Sequence, residues 1–160
     1  MVDKKSPSLE FYNCPLWLAD ILSRHILPFF ENGGYALGER YSVGILFDLK
    51  KRPKDEKDVP LGGRGGCYPA YPDRGVITLY IKHLPTMANL VEALFHECDH
   101  VLWDFQFGPA GDKYFHLPYA QRPNEIRAIS VGEKYKKEME FSTNDPTWIF
   151  FEEEYYKAVE

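Results

Sequence analysis

The segment LFHECDHVL, from Leu94 to Leu102, sets two histidines and two acids into an apolar run. On an α-helix His96 and His100, four residues apart, emerge on one face, one turn above the other. Glu97 lies about 100° around the helix from His96, close enough to lean toward the same side. This spacing, HExxH, is typical of zinc sites in which two imidazoles ligate the metal and the glutamate acts as a base.

The surroundings of the motif predict a buried helix. Thr86 is a suitable N-cap and Gly108–Pro109 a stop, so the helix is predicted from about Met87 to Phe105. The apolar residues next to the motif are Leu90, Val91, Leu94, Val101 and Leu102. Two unpaired imidazoles in such a helix cost free energy unless something satisfies them. The motif alone leaves a second interpretation open, in which both histidines are core-edge residues with ordinary hydrogen-bond partners.

The rest of the chain predicts an α+β domain. Pro15 opens a helical pattern that ends at Gly33–Gly34, and a later helix begins near Pro123. Strands are predicted at 41–49 and 76–81, the second joined to the preceding CYPAYPD by a turn at 72–75. GGRGG, at 62–66, is interpreted as a hairpin loop because it lacks the Lys-Ser/Thr of a phosphate-binding loop. A closing helix is predicted from Asp145.

We therefore expect one domain over residues 1–160, with 1–10 and 50–66 flexible. Its order would be an N-terminal helix, a small three-stranded mixed sheet, the motif helix, a second helix and a C-terminal helix.

The composition excludes several classes of protein. Hydrophobic residues make up 44% and charged residues 27%, an ordinary globular balance, and the net charge of −5 leaves no basic excess for nucleic acid. The three cysteines show no CxxC spacing, which argues against a disulfide framework or a cysteine-rich zinc site. No stretch has the length of a membrane span and no apolar signal segment is seen. We expect a cytoplasmic protein without nucleic-acid or membrane partners, monomeric or weakly homo-oligomeric.

A catalytic zinc site needs a third protein ligand and one open position for water. Glu125, in NEIRAIS, falls early in the predicted second helix, where the small Ala128 and Ser130 would let that helix approach the first. His116, in the loop KYFHLPYAQRP, is the alternative ligand. His116 and Tyr119 are also candidates to donate a hydrogen bond to a developing oxyanion.

With these residues the chain resembles the gluzincin metallopeptidases, and most of all the small single-domain ImmA/IrrE-type and minimal gluzincin proteins. The resemblance spans roughly 41–139 and is carried by the order VITLYI, HECDH, NEIRA. It implies a zincin-like fold, with one zinc ion per chain held by His96, His100 and Glu125 and with Glu97 as the general base. The implied activity is hydrolysis of a peptide or protein substrate through a metal-activated water, with VITLYI as the edge strand that aligns the peptide.

Asp99 and Asp104 also lie in the predicted motif helix. Asp99 departs from the zincin pattern, which disfavours a charge between the glutamate and the second histidine. Its position on the helix directs it toward solvent or a basic neighbour. Arg127 is more simply explained as the partner of an acid than as a catalytic group. Asp104, one turn after His100, could accept the free N–H of that imidazole or be a solvated acid.

The same motif is compatible with other functions. The first is a non-catalytic zinc-binding regulatory protein with a zincin fold, which would need no general base. A second is a latent enzyme whose tail FFEEEYYKAVE lies across the cleft. A nucleic-acid-associated protease of the SprT kind is disfavoured by the net acidity.

Overall fold

The structure is a computed structural model. It describes residues 8–38, 40–55 and 57–141, so the closing helix predicted from Asp145 and the tail lie outside the described residues. The described part of the chain is α+β, with three α-helices and a four-stranded sheet. The predicted α+β class is confirmed, whereas the prediction of three strands is wrong.

The strands are β1 (Leu9–Tyr12), β2 (Ser42–Asp48), β3 (Gly63–Tyr68) and β4 (Tyr71–Tyr80). Their order in the sheet is β1-β2-β4-β3. β2 pairs in parallel with β1 on one side and with β4 on the other, whereas β3 pairs antiparallel with β4. Consequently β4, which carries VITLYI, lies inside the sheet and not at its edge as predicted, while β3 forms an edge.

The helices are α1 (Leu16–Asn32), α2 (Met87–Phe107) and α3 (Pro123–Phe141). The predicted start of α2 is confirmed, because Thr86 Oγ1 accepts a hydrogen bond from the Asn89 amide at 3.0 Å. Gly108 follows the last residue of α2 as its C-cap, and its φ of 86° suits a residue without a side chain. None of the helices in the described ranges is long and apolar enough to cross a membrane.

The core lies between the sheet and the helices. Alternate residues of β2 are buried, which is the period expected for a strand with one covered face. The strand side of the core consists of Val43, Ile45, Phe47, Ile77 and Leu79, and the helix side includes Leu18, Leu22, Ile26, Leu90, Leu94 and Phe95. α3 packs on α2, where the rings of Phe95 and Tyr135 stack with centroids 3.8 Å apart. α2 is therefore covered by the sheet and by α3.

The hairpin turn was predicted in the wrong place. β3 and β4 are joined at Pro69–Ala70, while residues 72–75 belong to β4. Gly75 is needed there because a Cβ would lie only 2.4 Å from Cγ1 of Val101 on α2. A glycine that sequence reasoning assigned to a turn instead permits close packing of the sheet against the helix.

Two segments expected to be flexible contribute strands to the sheet. β1 begins within 1–10 and pairs with β2 from Leu9 to Tyr12. β3 begins within 50–66 and pairs with β4 from Gly63 onward. Both are edge strands, and backbone pairing with a neighbouring strand determines their position. Their own residues therefore show little of the alternating pattern that predicts a strand.

Candidate metal centre

Three side chains converge between α2 and α3. Nε2 of His96 lies 3.1 Å from Oε2 of Glu125, and Nε2 of His100 lies 3.0 Å from Oε1 of the same carboxylate. The two Nε2 atoms are 3.1 Å apart. Tetrahedral ligands at about 2.0–2.1 Å from a zinc ion are about 3.3 Å from one another. The three residues could therefore hold a metal ion between them.

α3 reaches the histidines because its face toward α2 carries small residues. Ala128 is fully buried in this contact. A Cβ on Gly132 would lie 2.7 Å from the carbonyl oxygen of Glu92 and 3.4 Å from Cβ of His96. The role of Ala128 follows the sequence prediction, whereas Ser130 is exposed and takes no such part, and Gly132 was missed. A glycine inside a helix is unfavourable by about 1 kcal/mol relative to alanine, which is the signal that could have pointed to a packing reason.

The electrostatics of this cluster favour a cation. Burial alone would raise the pKa of Glu125, but hydrogen bonds with His100 and His96 outweigh it and hold that pKa well below its usual range. Burial acts in the opposite sense on His100, yet the hydrogen bond with Glu125 and the charge of Glu97 raise the pKa of the imidazole overall. The site thus keeps a carboxylate charged against two imidazoles.

Glu97 lies beside the cluster without belonging to it. Its Oε1 is 3.9 Å from Nε2 of His96, and the residue is only 6% exposed. Burial raises the pKa of Glu97, although His100 and His96 oppose this shift. A carboxylate whose pKa lies above its ordinary value is better suited to accept and return a proton near neutral pH.

The GGRGG stretch passes directly against Glu97. It is not a loop, as predicted, but most of β3. A Cβ on Gly63 would lie 3.1 Å from Cγ of Glu97, and one on Gly65 would lie 2.7 Å from the Glu97 carbonyl oxygen. The glycines let the strand approach α2 and keep side chains away from the Glu97 carboxylate.

The two candidate donors from the loop before α3 have different positions. Tyr119 and Glu125 line the same part of the cleft. Burial and the charge of Glu125 raise the pKa of the Tyr119 phenol. His116 is exposed, and the structure does not bring it into the cluster of possible metal ligands. Of the two alternatives for the third ligand, Glu125 is the one that faces the histidines.

Asp99 and Asp104 of α2 have structural partners. Asp99 pairs with Arg127, so the expectation of a basic neighbour is confirmed. Oδ2 of Asp104 accepts from the amide of Cys67 at 2.9 Å, and Oδ1 accepts from the amide of Ala110 at 3.1 Å. Asp104 therefore ties the edge strand and the loop after α2 to the helix, instead of accepting from an imidazole.

A cleft extends on both sides of Glu97. One part, about 520 Å³, has apolar walls that include Leu61, Leu84 and Ala93. The other part, about 460 Å³, follows β3 and includes Arg64, Phe115 and Arg122. Both parts share Leu61, Gly63, His96, Glu97 and Tyr119. The carboxylate of Glu97 and the metal-ligand cluster are thus reached from an extended groove.

Comparison of the chain with protein-family models, with curated proteins and with solved structures gave no match. Function is therefore inferred from the chemistry of this site.

Proposed function

We propose that the protein is a zinc-dependent metallopeptidase with a zincin-like fold. The observation that carries this proposal is the convergence of His96, His100 and Glu125 beside the buried Glu97. Two imidazoles and one carboxylate are a donor set typical of catalytic zinc, which keeps its fourth position for water. Magnesium and calcium prefer sites built from oxygen donors, so zinc is the ion that the two histidines favour.

Zinc, Glu97 and Tyr119 would have different roles in peptide hydrolysis. When bound, a zinc ion supplies Lewis acidity, which lowers the pKa of water and polarises a carbonyl group. Glu97 takes a proton from the attacking water and delivers it to the leaving amine nitrogen. Tyr119, which borders both parts of the cleft, is the donor we assign to the carbonyl oxygen as negative charge develops there.

We assign alignment of the substrate to β3 instead of β4. β4 is paired on both sides, whereas among the described strands β3 pairs with β4 alone. An extended peptide can add to such an edge through main-chain hydrogen bonds. Antiparallel addition would direct the N-terminal part of the peptide toward Tyr68 and its C-terminal part toward Gly63, with the scissile bond near Glu97.

Replacement of Glu97 tests the proposal. We expect Glu97→Gln to retain about one zinc per chain by elemental analysis and to lose hydrolysis of a quenched fluorescent peptide library. Glu133→Gln, on the exposed side of α3, is the matched control and should leave both unchanged. Full hydrolysis by Glu97→Gln would contradict the assignment of the general base. A wild-type protein that binds zinc but cleaves no peptide would instead support the zinc-binding regulatory function.

A further inference from the structure

Two arginines line the part of the cleft that follows β3: Arg64 within that strand and Arg122 immediately before α3. Neither forms an ion pair with a carboxylate of the described residues. This is notable in a chain with a net charge of −5, in which acids outnumber bases. The nearby Arg127, by contrast, is committed to Asp99.

Arg122 is held on the cleft wall by groups that do not neutralise it. Its Nε donates to the carbonyl oxygen of Leu117 at 3.1 Å. Its guanidinium carbon lies 4.8 Å from the ring centroid of Phe115 and 5.8 Å from that of Tyr119. Such cation–π contacts orient a guanidinium while leaving its positive charge in place. Within the described ranges no side chain or carbonyl accepts from its terminal nitrogens.

Both arginines lie on the same side of Glu97, in a part of the cleft that also contains the carboxylates of Asp104 and Glu125. Those carboxylates have other partners, because Asp104 accepts from the Cys67 and Ala110 amides and Glu125 faces the two histidines. Among the described residues, the opposite part of the cleft contains neither arginine, and Lys57 is accompanied there by Asp55 and Glu92. If a peptide adds antiparallel to β3, the arginine-lined part receives the residues that precede the scissile bond. The cleft therefore offers different chemistry to the two halves of a substrate.

We propose that Arg64 and Arg122 select substrates with an acidic side chain on the N-terminal side of the cleaved bond. This inference rests on the proposed peptidase function and on β3 as the strand that aligns the peptide. A guanidinium pairs with a carboxylate through two parallel hydrogen bonds, which gives both affinity and orientation. Arg122 is partly buried, so its pairing is less screened by water than that of a surface ion pair.

Peptide binding to the Glu97→Gln variant tests the inference without relying on turnover. The probes are two fluorescein-labelled peptides of equal length, with three glutamates or three glutamines before a common Ala–Leu bond, and binding is followed by anisotropy. We expect the glutamate peptide to bind about tenfold more tightly, and we expect Arg64→Gln combined with Arg122→Gln to abolish this difference. Arg24→Gln, on the exposed face of α1, is the control and should preserve it. Thermal melts verify that each variant is folded.

The outcomes separate this inference from the proposed function. Equal affinity for the two peptides, or no detectable binding of either, would overturn the inference. A preference that persists after both arginines are replaced would overturn the assignment to Arg64 and Arg122. Cleavage of both peptides by the wild-type protein with equal kcat/KM would support peptidase activity while contradicting acidic selection. Selective binding of the glutamate peptide without cleavage of either peptide would support acidic selection while contradicting peptidase activity.

Discussion

Arg127 of α3 donates from Nε to both carboxylate oxygens of Asp99 on α2, at distances of 3.1 and 2.9 Å. The same guanidinium donates to Oε1 of Gln106 at 2.7 Å and lies 4.7 Å from the Trp103 ring centroid. Asp99 is only 2% exposed. The acid that departs from the zincin pattern thus joins the helix that carries His96 and His100 to the helix that carries Glu125.

We expect Arg127→Met to destabilise the protein by about 2–3 kcal/mol. The variant leaves a buried carboxylate without its partner, which typically costs about 3–5 kcal/mol. The lower value allows for the Arg127 side chain, which is 33% exposed and therefore screened by water. Urea denaturation of chelator-treated protein measures the change.

Lys136→Met is the matched control for this ion pair. Lys136 Nζ lies 3.4 Å from Oε2 of Glu92, between the same two helices, but its side chain is 34% exposed and that of Glu92 40%. Such an exposed pair contributes less than about 1 kcal/mol. If Arg127→Met destabilised the protein by no more than the small amount expected for Lys136→Met, the Asp99–Arg127 pair would not stabilise the contact between α2 and α3.

Zinc content should distinguish the third ligand. We expect Glu125→Ala and His96→Ala to reduce bound zinc well below one per chain, because each removes one of three converging donors. His116→Ala should retain full zinc, since His116 is exposed and outside the cluster. Elemental analysis after dialysis against trace metal measures this. Loss of zinc in His116→Ala, with retention in Glu125→Ala, would reverse the assignment.

The parts of the fold that periodicity and capping signals determine were predictable. Thr86 and Gly108 bound α2 as expected, and β2 falls within the strand predicted at 41–49. The spacing of His96 and His100 likewise placed both imidazoles on one face of a helix. In each case the relevant interaction is local, so a single stretch of sequence carries the information.

The parts that depend on tertiary contacts were not predictable. Half of the residues of β3 are glycine, which has low strand propensity, and the segment becomes a strand through pairing with β4. A glycine-rich segment is compatible with a turn or with a strand whose backbone packs closely against a helix. Gly75, predicted in a turn but found in β4, is a second example. Whether Glu125 or His116 faces the two histidines depends on how α3 packs on α2 through Ala128 and Gly132, which is a tertiary contact.

Gly65→Ala should destabilise the protein by about 1–3 kcal/mol, the range for overpacking a filled contact. The added methyl would lie 2.7 Å from the backbone oxygen of Glu97, so β3 would have to move away from α2. We also expect hydrolysis to fall, because the strand would no longer lie against Glu97. Denaturation and peptide cleavage are measured on the same preparation.

Gly38→Ala is the control for this substitution. A Cβ at Gly38 would meet nothing within 4 Å, so the change should be neutral or stabilise by about 0.5 kcal/mol through a less flexible unfolded chain. A Gly65→Ala variant as stable and as active as Gly38→Ala would show that β3 does not need its glycines.

The cysteines should be unreactive in the folded protein. Cys14, Cys67 and Cys98 are free thiols. Burial raises the pKa of Cys67 and of Cys14 to about 12, and it raises the pKa of Cys98 well above its ordinary value. At pH 8 a thiol with such a pKa is roughly a thousandfold less ionised than an ordinary one, and only the thiolate attacks a disulfide reagent.

With Ellman's reagent we therefore expect labelling at pH 8 to be at least about a hundredfold slower in buffer than in guanidinium chloride, where all three thiols react. Between pH 7 and pH 10 the rate in buffer should rise about tenfold per pH unit, since the thiolate fraction grows in that proportion below the pKa. A Cys67→Ser variant shows how much of the slow reaction arises from the thiol next to the cleft. A rapid reaction of one thiol per folded chain, independent of pH above 8, would show that at least one of these groups is not held protonated by burial.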